Sequence, residues 1–236
     1  MKLTGATIPD DVVQRVVERR GSAHCFADLD PANTALIVVD LQHAFMNDTV
    51  GHAVVPAARD IVPAVNRLAA AVRQSGGGVF WVRMTHDERC AIDWSVNHQI
   101  ATPEAVAKRV AALTAGSKGH SLWAGLDVKQ GDEIVDKYRF SGFMPGTSDL
   151  PERLRARGFD TVLITGTVTN VCCESSARDA MMTNFKTIMV SDGNAAMTQA
   201  EHDAALTAFY NVFGDVMDTD MLVAALGRRQ RAVAAE

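Results

Sequence analysis

No stretch of this 236-residue chain approaches the ~18 uninterrupted apolar residues that a membrane-spanning helix needs, so no membrane role is expected. No run of Lys or Arg is long enough to track a phosphate backbone either. With 23 basic against 28 acidic residues the net charge is −5, which argues against nucleic acid as a partner. Cysteine is scarce: Cys25, Cys90, Cys172 and Cys173 are too few and too irregularly spaced for a disulfide framework. Two of the four are neighbours, which suits neither a relaxed bridge nor a C-x-x-C zinc site, so reduced thiols in a reducing compartment are the expectation. The first twenty residues place Asp10, Asp11 and Glu18 where a secretory leader would need an apolar core, and a cytoplasmic location follows as the expectation. Seven prolines and 17 glycines exclude collagen-like and low-complexity architectures.

What is present is the composition of a globular protein, with 47% hydrophobic and 22% charged residues, and it is read as one domain over 1–236. The run Thr34-Ala-Leu-Ile-Val-Val39 is short, apolar and rich in β-branched residues, the pattern of a strand buried on both faces of a parallel sheet. Residues 56–75 carry Ile61, Val65, Leu68 and Val72 at helical spacing and stop at a glycine triplet, after which VFWVRM resumes the strand pattern. Further strands are expected at 133–136, 161–165, 187–190 and 214–217, with helices near 147–157, 171–185, 199–212 and 219–227. The alternation predicts a doubly wound α/β fold with a parallel sheet. Residues 1–30 form an extension whose helix, near Pro9–Arg20, bears an apolar stripe of Val12, Val13, Val16 and Val17. Such a stripe could pack on a neighbouring subunit. Residues 85–130 break the rhythm with polar loops and a helix near 103–113, as insertions that shape binding sites do.

In open α/β sheets ligands collect outside the carboxyl ends of the strands, so polar residues there are the first candidates. Asp40 ends the first strand, Lys137 ends the strand EIVD, and Cys172 lies in the turn after TVLITG. Thr169 or Asn170 is placed to cap the following helix. Backbone N–H groups and the positive helix end would then face the Cys172 sulfur, lowering its pKa below the free value of about 8.5 and stabilising an oxyanion. A lone cysteine is more often a small buried hydrophobe, and an aspartate at a strand end is more often a loop cap. Three such groups on one sheet edge are a stronger signal than any one of them.

TALIVVDLQHAF, DKYRFSGFMPGTSDL and LITGTVTNVCCESSARDA resemble, as an ordered set, the three motif blocks of the isochorismatase-like cysteine hydrolases, over about residues 30–227. The resemblance implies a three-layer fold with a six-stranded parallel sheet of order 3-2-1-4-5-6 and an Asp40-Lys137-Cys172 triad. It also implies a cis peptide at Thr167-Val168, with the amides of Val168 and Cys172 as the oxyanion hole. Cys173 is then a packing residue. The implied activity is cleavage of a C–N bond in a small amide or a ureido or N-carbamoyl acid through an acyl-thioester, without a cofactor. The alternatives are a vinyl-ether hydrolase on the same fold, or a silent α/β binding subunit. Nicotinamidases in the family hold a metal on an Asp-x-His pair and a further His. Here His86 has no Asp two residues before it, so His86 and His98 are read as loop residues and no metal is expected. The stretches around Lys137 and Thr169 are similar to the ureidoacrylate amidohydrolases, which suggests an arginine for a substrate carboxylate. Arg83 and Arg139 are the candidates, Phe45, Trp94 and Phe143 could line the pocket, and Asn170 falls at a matching position. Similar proteins are commonly dimers or tetramers, which makes a homo-oligomer the expectation.

Overall fold

The computed structural model describes residues 1–233. After a two-stranded ribbon, Lys2–Leu3 with Ala6–Thr7, the chain forms helix α1 (Asp10–Arg20) and strand β1 (Thr34–Val39). It continues through the single turn α2 (His43–Met46), helix α3 (Val62–Gln74) and strand β2 (Gly78–Met84). Three helices then fill the expected insertion: α4 (Glu88–Asp93), α5 (Ser95–Gln99) and α6 (Pro103–Leu113). Strand β3 (Glu133–Lys137), helix α7 (Leu150–Ala156), strand β4 (Thr161–Thr167) and helix α8 (Glu174–Met182) follow. The remainder is β5 (Lys186–Ala195), α9 (Gln199–Val212), β6 (Asp215–Met217) and α10 (Thr219–Val233).

All six strands are parallel, in the order β3-β2-β1-β4-β5-β6. This is the order that the resemblance implied. Because Leu36 and Val38 face one layer while Ala35, Ile37 and Val39 face the other, β1 is buried on both sides. On the first face α3 and α10 pack through Val65, Leu68, Val72, Leu222 and Leu226. On the second lie α7, α8 and α9, contributing Leu154, Ala177, Ala180, Leu206 and Phe209. Chain order runs outward from β1 to β3 on one side and from β4 to β6 on the other. The switch point is therefore the crevice between the carboxyl ends of β1 and β4.

The N-terminal extension departs from expectation. Val12 and Val16 of α1 are buried against α9 in the core that holds Leu206, Phe209 and Tyr210, leaving Val17 exposed. Arg20 donates to Tyr210 O and Gly214 O, both at 2.9 Å, and the Tyr210 hydroxyl donates to Ala23 O at 2.8 Å. The stripe is thus covered by its own chain, which removes it as an argument for a subunit partner. Among the described residues no helix is long and apolar enough to cross a membrane.

Candidate active site

Each of the three candidate side chains is delivered by the end of a strand. Beyond β1, Asp40 takes a φ of 56°, turning the chain off the sheet; aspartate is among the few non-glycine residues that accept this region at modest cost. Its amide still donates to Val82 O at 2.9 Å, so the turn begins only after the last ladder bond. Gln42 then fixes the turn. Its Nε2 donates to Met84 O (3.1 Å) and His120 O (2.9 Å), and its Oε1 accepts from the Met84 amide (2.7 Å). A buried amide satisfied on both atoms ties the end of β1 to the end of β2.

Lys137 closes β3 in register with Met84. Its ammonium is fully buried, donates to Asp40 Oδ2 at 2.8 Å and to Arg139 O at 3.2 Å, and lies 3.4 Å from Met84 Sδ. Asp40 Oδ1 has no hydrogen-bond partner of ordinary geometry. The Cys172 thiol is close enough to act on both Asp40 and Lys137.

Cys172 reaches that position by way of Gly166. The φ there is +124°, and a Cβ would lie 2.0 Å from Val39 O, so only glycine lets β4 approach β1 this closely. The Thr167-Val168 peptide is cis, at the position expected. One wide π turn, Thr169–Cys173, follows, with Val168 O accepting from the amides of Val171 (3.0 Å) and Cys173 (3.2 Å).

The electrostatics correct one expectation. Cys172 lies in the π turn, and α8 begins only at Glu174, so the sulfur is not at the start of a regular helix. Burial, the largest influence, pushes the thiol pKa well above that of a free cysteine; Lys137 pulls it back and Asp40 raises it further. The direction of the shift favours the thiol over a preformed thiolate. Burial also raises the Asp40 carboxyl above its ordinary range, against the pull of Lys137. For Lys137, burial works against the ammonium, but Asp40 and then Cys172 outweigh it and the net shift is upward. Cys173 is fully buried and its thiol is raised by the same desolvation, as suits a packing residue.

The structure sorts the other candidates. Phe45 is buried beside His52, with ring centroids 5.1 Å apart. Trp94 is half-buried and meets Phe140 edge-on at 4.8 Å, with the Arg139 guanidinium 5.3 Å from its ring centroid. Trp94, Arg139, Ser141 and Ser175 line a cleft of about 540 Å³. Phe143 packs in the core against Phe185 at 5.5 Å, because its position after the Ser141 turn directs it inward, and it does not line the pocket. Arg83 is bound in a fork to Asp136, with Nε at 2.8 Å and Nη2 at 3.1 Å, so its guanidinium is already committed to a carboxylate. Asn170 is exposed on the π turn. His86 and His98, read as separate loop residues, come together with ring centroids 5.2 Å apart, and His86 is buried. Among the described residues no group of three or more His, Cys, Asp or Glu is arranged to hold a metal ion.

Comparison with known proteins places this arrangement. The family model described as the Isochorismatase domain matches residues 34–221. A curated protein called ureidoacrylate amidohydrolase RutB, from Methylobacterium radiotolerans, is 33% identical over 223 residues, covering 87% of this chain and 84% of that protein. The crystal structure of a cysteine hydrolase from Pseudomonas syringae superposes with a TM-score of 0.73 at 31% identity, covering 85% of this chain and 95% of that one. N-carbamoylsarcosine amidase from Thermoplasma acidophilum gives a TM-score of 0.64 at 26% identity, covering 80% and 97%.

Proposed function

The chain belongs to the isochorismatase family of hydrolases, and from that premise we propose that it is a cysteine-dependent amidohydrolase that cleaves a C–N bond of a small ureido or N-carbamoyl acid. The observation that carries the reading is the fully buried Asp40–Lys137 ion pair with the Cys172 thiol against both partners. In this reading the thiol proton passes to Asp40, and the thiolate so formed attacks the substrate carbonyl carbon. The lysine, first paired with a carboxylate, becomes paired with a thiolate. Net charge in the desolvated site is unchanged, so the transfer avoids the cost of creating an isolated buried ion. The amides of Val168 and Cys172 are assigned to the oxyanion of the tetrahedral intermediate. The C–N bond then breaks, the departing nitrogen takes the proton held on Asp40, and a thioester remains on Cys172. Water, losing a proton to Asp40, attacks the thioester and regenerates the thiol.

The names of the relatives, a ureidoacrylate amidohydrolase and an N-carbamoylsarcosine amidase, support the substrate class, and the thiol beside a base supports amide over vinyl-ether chemistry. The test is ammonia release from a panel of ureido acids and neutral amides by wild type, Cys172→Ala, Cys172→Ser and Cys173→Ala. Wild type is expected to favour ureido acids, both Cys172 variants to lose at least about 1,000-fold in kcat/KM, and Cys173→Ala to stay within about tenfold. Full activity in Cys172→Ala would overturn the mechanism.

A further inference from the structure

Eight buried side-chain nitrogen or oxygen atoms of the described residues have no hydrogen-bond partner, and five of them belong to one place: His52 Nε2, His86 Nε2, Asn97 Nδ2, His98 Nε2 and Arg109 Nε. They converge from the loop after α2, from the residues following β2, and from α5 and α6. His86 and His98 stack loosely at 5.2 Å. Arg109 donates from Nη2 to Asn97 O at 3.0 Å and from Nη1 to Asn97 Oδ1 at 3.3 Å, and its charge bears on both His52 and His86. His86 and Asn97 are each only 3% exposed. Buried polar groups are normally paired; Arg109 Nε and Asn97 Nδ2 can only donate, and a neutral imidazole can donate from Nε2, so the cluster points to a ligand that is itself an acceptor.

The charge of the cluster names the kind of acceptor. Arg109 forms no ion pair with an acid among the described residues, and Arg139 adds a second positive influence on His86. The one opposing charge near His86 is Asp87, whose carboxylate is bonded to Arg89 at 3.1 Å and caps α4. Burial, the leading cause, holds His52 and His86 down to about 4, so each is a neutral imidazole that can offer one N–H at neutral pH. Neutral donors around a guanidinium suit an anion with several lone pairs, and the guanidinium opposes a metal cation in the same space. The cluster also adjoins the chain segments that carry the Asp40–Lys137 pair. The Thr85 amide, one residue before His86, donates to Lys137 O at 2.8 Å, and His52 packs on Phe45, which follows Asp40 on α2.

We propose that Arg109, with the imidazoles of His86 and His98 and the amide of Asn97, binds the carboxylate of the ureido acid. In this arrangement the residues assign the role sought for Arg83 or Arg139 to Arg109. The proposal rests on the amidohydrolase reading for its substrate, but its test does not need turnover. Calorimetric titration of Cys172→Ala and Cys172→Ala/Arg109→Gln with 3-ureidopropanoate, and with propylurea as the analogue lacking a carboxylate, reads the subsite directly. Arg109→Gln is expected to weaken 3-ureidopropanoate about 100-fold and propylurea less than about threefold. A parallel Cys172→Ala/His86→Gln variant, which leaves the Arg109–Asn97 contacts intact, is expected to weaken the acid about tenfold. If Arg109→Gln does not fold, Arg109→Lys, which keeps the charge but not the fork, is expected to lose about tenfold on the acid alone. Binding of the acid no tighter than propylurea, equal losses on both probes, or no loss in either histidine or arginine variant would overturn the proposal. In each of those cases the thiol mechanism would still be judged separately by the Cys172 and Cys173 variants.

Discussion

A carboxylate and an ammonium removed entirely from water stabilise a fold only while both are present, and Asp40 and Lys137 are such a pair at 2.8 Å. Asp40→Asn leaves the Lys137 charge facing Met84 Sδ and the Arg139 carbonyl without its counter-ion, and Lys137→Met leaves a bare buried carboxylate. Each single variant is expected to lose about 3–5 kcal/mol in urea unfolding, whereas the double variant, with no buried ion left, should recover most of that loss while remaining inactive. Additive losses in the double variant would mean that the two side chains do not act as a pair. Asp40, Lys137 and Cys172 were legible as a set, because three such groups near strand ends on one sheet edge are a stronger signal than any one of them, and the structure brings them together. The acidity of Cys172 was misjudged from sequence, because desolvation is set by what packs around a residue from distant segments. Gly166, Met84 and Asp40 come from three different strands or strand ends, and no local pattern announces their convergence.

At the scale of elements, the close approach of β4 to β1 decides where the thiol turn can start. A Cβ on residue 166 would collide with Val39 O, one residue before Asp40, in a conformation at φ +124° that other residues rarely adopt. Gly166→Ala is therefore expected to destabilise the chain by about 2–5 kcal/mol and to abolish most activity, since relieving the clash separates the turn of Cys172 from Asp40. Unfolding curves beside ammonia-release assays check this; a stable, fully active variant would show that the approach is not needed. Strand β1 was readable from its short apolar run, and α3 from the helical spacing of Ile61, Val65, Leu68 and Val72. Helices α4 and α5 were not, being of six and five residues with Ile92 and Val96 exposed, so neither displays an amphipathic period. That gap hid the cluster around Arg109, although His86 and His98 had been singled out for a different reason.

For the molecule as a whole, a parallel sheet with its switch point between β1 and β4 puts every chemical group of the account at one edge, and the insertion between β2 and β3 supplies a second wall. The doubly wound parallel sheet was legible in the alternation of strands and helices, and its strand order in the resemblance of the three motif blocks. The course of the N-terminal extension was the least legible, because a valine stripe reads the same whether α9 or another subunit covers it. The central claim is that the C–N bond is broken by the Cys172 sulfur, and the most direct measurement is the mass of the whole protein during turnover. Rapid acid quenching of wild type with excess ureido acid, followed by intact-mass and peptide analysis, should reveal one acyl group per chain, located on Cys172. The adduct should persist in Cys173→Ala and vanish in Cys172→Ala. Turnover without any adduct, together with activity retained in Cys172→Ala, would contradict the account.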